Sequence, residues 1–81
     1  MPDWLEQARR RLETGVEEAG DLALSPADVE LLLEFARAAA HESGDRTNAP
    51  IACYLAGLAQ GRSPDRTLDE IVAAALGQGM T

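Results

Sequence analysis

Apolar positions recur along this chain at helical spacing, and the longest such pattern runs from Ser25 to His41, S-P-A-D-V-E-L-L-L-E-F-A-R-A-A-A-H. At about 100° per residue, Val29, Leu31, Leu32, Leu33, Phe35, Ala36, Ala39 and Ala40 fill an arc of roughly 200°. A helix lying on a surface needs about half of that, so this one is expected to be central, with neighbours on at least two sides. Its ends are marked as well. Ser25 is a favoured N-cap, Pro26 fits the first helical position, and Asp28 stands where a capping box needs an acid. Gly44 is a suitable terminator, so the helix is expected over about 26–42.

Three further helices follow from the same reasoning. Trp4, Leu5, Ala8 and Leu12 form a narrow stripe on a helix over about 3–13, with Asp3 as its expected cap. Asn48 caps a helix expected over 49–60, with Pro50 in its first turn and Gly61 at its end. Its larger apolar residues, Ile51, Tyr54, Leu55 and Leu58, form one stripe, and Ala52, Cys53, Ala56, Gly57 and Gln60 form the opposite face. Thr67 and Glu70 make a capping box for a last helix over 68–76. Residues 15–24, punctuated by Gly15 and Gly20, give no clear element, and order is expected to end near Gly77 and Gly79. No strand pattern or internal repeat appears. The prediction is an all-α protein, a compact bundle of four helices forming one domain over residues 1–81.

Composition narrows the function. The net charge is −7, with seven basic residues, all arginine. An acidic surface of this kind argues against nucleic acid and against anionic membranes. A single cysteine, Cys53, excludes an internal disulfide, and with one histidine it excludes a multi-ligand Cys/His zinc site. Four charges between Trp4 and Leu12 interrupt what would be the apolar core of a signal peptide. The cytoplasm is therefore the expected location. No phosphate-binding glycine loop, catalytic constellation, metal site or cofactor motif is present, so no enzymatic activity is expected.

Two groups of residues remain as candidate sites. Arg37, His41 and Arg46 would place three cationic groups near the end of the central helix, suited to a small anion or nucleotide, unless they serve the helix C-terminus and the acids Glu34, Glu42 and Asp45. The face made by Ala52, Cys53, Ala56, Gly57 and Gln60 lies on a helix with no charged residue, and if exposed it would suit an unidentified protein partner or a second copy.

Residues 35–61 also carry a pattern of their own: Arg37 and His41, then Arg46, Ala49 and Pro50, then Leu55, Gly57, Ala59 and Gly61. With Trp4-Leu5 near the start, this resembles a small helical domain of unknown function common in actinobacteria. Thr47 departs from it, standing where proline is expected, and residues 15–24 are longer than usual. Members occur alone or fused to nucleotidyltransferase-like proteins of molybdopterin-guanine dinucleotide synthesis. The resemblance implies an accessory role near molybdenum-cofactor chemistry and no activity for the domain itself.

Overall fold

A computed structural model describes residues 3–77, apart from the side chain of Asp3. The expected cap at Asp3 and the expected loss of order at Gly79 therefore lie outside what is described. The fold is all-α. Helix α1 spans Asp3–Gly15, α2 Pro26–Ser43, α3 Asn48–Arg62 and α4 Leu68–Ala75, with a short 3-10 turn at Glu17–Ala19.

The predicted start signals act as expected at two helices. The Ser25 hydroxyl accepts the Asp28 N–H at 3.0 Å, and the Asp28 carboxylate accepts the Ser25 N–H at 3.2 Å. Thr67 and Glu70 make the same reciprocal pair at 3.2 and 3.0 Å. Each pair satisfies amides that would otherwise lack a helical partner. At α3 the expected cap is displaced by one residue. Asn48 is the first helical residue and Thr47 the cap, with no side-chain bond to the helix. Thr47 is held instead by Asp45, whose Oδ1 accepts both its N–H at 2.9 Å and its hydroxyl at 2.6 Å. Those two bonds hold the Asp45 carboxyl below its ordinary pKa. Helix α2 ends at Gly44, in the left-handed region at φ 74°.

The core lies among α2, α3 and α4. Phe35, Ala56 and Val72, one from each helix, are its buried residues, and Leu31, Ala52, Cys53, Leu68, Ile71 and Leu76 pack against them. Helix α2 is central, but its apolar arc is covered on one side only, and Leu33 remains 49% exposed. The reason is α1: among the described residues it makes no close backbone approach to another helix, and it stands off from α2 across a groove that Leu22 and Leu24 also line.

Helix α3 does not leave exposed the small-residue face offered as an interface in the sequence analysis. Its small face points inward and its large residues point out, leaving Ile51, Tyr54 and Leu55 exposed. Packing explains the orientation. Phe35 and Leu31 of α2 already fill the space between the helices. Only alanine-sized side chains on α3 let the two backbones come close enough to enclose them, since interior packing leaves no slack for a second layer of large groups.

Candidate functional site

The two groups of residues singled out in the sequence meet different fates. Arg37 and His41 lie one turn apart on the exposed side of α2, where with Glu34, Ala38 and Ala40 they edge a shallow, open hollow. Arg37 is engaged by Glu34 of the preceding turn, with 3.4 Å between Nη2 and the carboxylate. Arg46 is exposed in the following loop and does not line this hollow. Among the described residues, no hydrogen bond or ion pair joins the three cations to each other or through a shared acid.

Of the proposed small-residue face, Ala56 is buried, and Ala52 and Cys53 pack against it in the core. Gly57 is exposed and Gln60 half-buried. Of the five, Ala56 is thus enclosed in the core, and Ala52 and Cys53 are half-buried against it. Burial raises the Cys53 thiol above its ordinary pKa, and Sγ lies 4.0 Å from the Leu32 carbonyl oxygen. The thiol is a small core group tying α3 to α2 rather than an activated nucleophile.

The surfaces that stand out are apolar, and neither was among the candidate sites read from the sequence. The first is the outward row on α3, Ile51, Tyr54 and Leu55, at i, i+3 and i+4. No charged residue precedes Arg62 in that helix. Beside the row, α2, α3 and α4 bound an open hollow of about 690 Å³ whose lining includes Ala39, Ala52, Ala59 and Ala75 with Leu55, Ile71 and Glu42. The second is a groove between α1 and the outer flank of α2.

The run Arg9-Arg10-Arg11 faces solvent and its own acids. Arg9 pairs with Glu6 and with Glu13, Arg10 lies 3.6 Å from Glu6, and Arg11 donates to Gln7. The hydrogen bond from Arg9, with smaller attractions to both arginines, holds the Glu6 carboxyl below its ordinary pKa. Among the described residues, no polar or charged side chain is buried, and no cluster of three or more His, Cys, Asp or Glu is placed to hold a metal ion. No helix of the described residues is long and apolar enough to cross a membrane.

Set against known proteins, the chain belongs to the family described as Domain of unknown function (DUF6457), which matches residues 1–79. No curated protein and no solved structure matches it.

Proposed function

We infer that this chain is a non-catalytic protein-interaction module, docking through the outer row of α3. The observation that carries the reading is the exposure of Ile51, Tyr54 and Leu55, with Tyr54 at 66%, side by side on a helix without a charged face. Isolated exposed apolar residues are ordinary on any protein. A contiguous row with an aromatic centre, next to a largely apolar hollow, has the make-up of an interface core. The fitting partner presents an apolar helix or strand edge. A basic group on it could meet Glu42, and the −7 charge of the chain would speed its approach. An accessory role beside molybdenum-cofactor enzymes in the cytoplasm agrees with this reading and rests on the family resemblance alone.

The test compares affinity capture from native cell extract by the wild-type chain and by Tyr54→Arg, after matched melting curves have shown both to be folded. A partner retained by the wild type and lost by the variant supports the reading. Identical captures by the two proteins refute it.

A second reading, a small-anion or nucleotide site at Arg37, His41 and Arg46, keeps one support, the hollow that Arg37 and His41 share. Chemical-shift changes at all three residues on titration with phosphate, molybdate or a guanine nucleotide would favour it over the first.

A further inference from the structure

The outer face of α3 is longer than its apolar row. At about 100° per residue, Thr47, Ile51, Tyr54, Leu55, Leu58 and Arg62 fall within an arc of about 100°. All are exposed except Leu58, which is half-buried. We propose that the partner of this face is a second copy of the chain, in a two-fold pair whose α3 helices run antiparallel with the axis midway between Tyr54 and Leu55. The inference rests on the α3 reading and names its partner.

Charge selects that occupant. All fourteen acids of the chain lie outside residues 46–64. Two copies with net charge −7 repel over most of their surfaces, and least where both present this stretch. Neutrality alone would serve α1 as well, but the charges of α1 are taken up within it: Arg9 and Arg10 lie against Glu6, and Arg9 also against Glu13. The α3 face instead carries opposite charges at its two ends, and both are open. At the C-terminal end, Arg62 pairs with no acid among the described residues. At the N-terminal end, the Asp45 carboxylate is fixed against Thr47, whose N–H and hydroxyl both donate to Oδ1. Its Oδ2 accepts no hydrogen bond among the described residues.

A face with an acid at one end and a base at the other is complementary to itself turned end for end. In a two-fold contact, residue i meets j wherever j meets i. With the axis between Tyr54 and Leu55, positions equally far from it come together. Ile51 of one copy then meets Leu58 of the other, and Tyr54 meets Leu55. Arg62 meets Thr47 and the Asp45 carboxylate held against it. Each of these contacts occurs twice. All six helix-face residues lie within about 50° of the centre of the contact, so none has to reach round the helix. The same arrangement sets the positive N-terminal end of each α3 beside the negative C-terminal end of the other. It also places the exposed Ile51, Tyr54 and Leu55 at the middle of the interface, where apolar and aromatic groups contribute most.

One helix pair is a small interface, so a weak dimer is expected. Sedimentation equilibrium and concentration-dependent amide chemical shifts on the full chain test it. The mass should rise with concentration towards twice that of the chain, with shift changes at Ile51, Tyr54 and Leu55 and none in α1. Tyr54→Arg should stay monomeric. Arg62→Glu sets acid against acid and Asp45→Arg sets base against base, and each should raise the dimer Kd by about tenfold or more. Mixing these two variants, after circular dichroism has shown both to be folded, should restore an affinity near that of the wild type, since each supplies the charge the other lacks. A monomer at every concentration overturns the proposal. So does a dimer whose shift changes lie in α1, or a mixture that associates no better than either variant alone. A wild-type chain that stays monomeric, yet captures another protein that Tyr54→Arg loses, overturns the second copy and leaves the α3 reading in place. A dimer and a capture both indifferent to Tyr54→Arg overturn the two together.

Discussion

Glu13 accepts the backbone N–H of Leu22 at 2.6 Å, nine residues further along the chain, with the same carboxylate oxygen that takes the Arg9 guanidinium at 2.7 Å. This bond turns the chain after α1 back on itself and sets Leu22 and Leu24 into the wall of the groove. Sequence spacing gave no hint of it, because the acceptor sits in a helix and the donor in a segment without a periodic pattern.

Glu13→Ala is expected to release that segment while leaving the core intact. A hydrogen bond to a carboxylate contributes about 1.5–3 kcal/mol, which is about a tenfold or larger change in a local opening equilibrium. Amide exchange should accelerate by that factor at Leu22 and stay unchanged at Phe35. Equal acceleration at both sites would mean that α1 and the core unfold as one unit.

The core rests on few side chains, so its mutations should be severe. Phe35 is 4% exposed and lies against Ala56 and Val72. Phe35→Ala is expected to cost about 3–5 kcal/mol, comparable to the whole stability of so small a domain. Ala56→Leu is expected to cost about 1–3 kcal/mol by overpacking the close approach of α3. Tyr54→Ala, on the opposite side of α3, should change little. Urea unfolding followed by circular dichroism ranks the three, and an Ala56→Leu protein as stable as the wild type would contradict the inward assignment of the small face.

That assignment also marks where sequence reasoning stops. The four helices were legible because caps and periodicity are local. Ser25 with Asp28 and Thr67 with Glu70 each bond across one turn, and the structure repeats both pairs. The orientation of α3 was not legible. Both of its faces are uncharged, so periodicity could not say which points inward, and the small face offered as an interface is the one that packs on the core. What decides is the size of Phe35 and Leu31 on another helix. The exposure of Leu33 escaped for a similar reason: it depends on how closely α1 approaches α2, a long-range relationship with no counterpart in the chain pattern.

Backbone conformation predicts opposite signs for two glycine substitutions. Gly44 and Gly57 both have open space where a Cβ would stand. Gly44, however, has φ 74°, while Gly57 lies inside α3. Gly44→Ala should therefore cost about 1–2 kcal/mol for the left-handed conformation. Gly57→Ala should gain about 0.5–1 kcal/mol, because alanine loses less backbone entropy in a helix. Thermal unfolding of the two variants checks this, and a shift of the same sign in both would show that side-chain space rather than backbone conformation governs them.

Cys53 supplies a prediction about pH. Burial beside the Leu32 carbonyl favours its neutral thiol, so its pKa is raised in the folded chain. The folded protein then keeps this proton at pH values where the unfolded chain has already lost it. By linkage, the contribution to stability is complete below the ordinary thiol pKa and is lost as pH rises through the raised one. Two measurements follow. Alkylation of Cys53 by iodoacetamide, which needs the thiolate, should be slower in the folded chain than in urea at the same pH, with its pH–rate midpoint displaced upward. The decline of stability above neutral pH should be shallower in Cys53→Ala, which has no thiol to ionise. Equal alkylation rates in the folded and unfolded chains would place the thiol in solvent, and α3 would then have to be rotated about its axis to bring its small face outward.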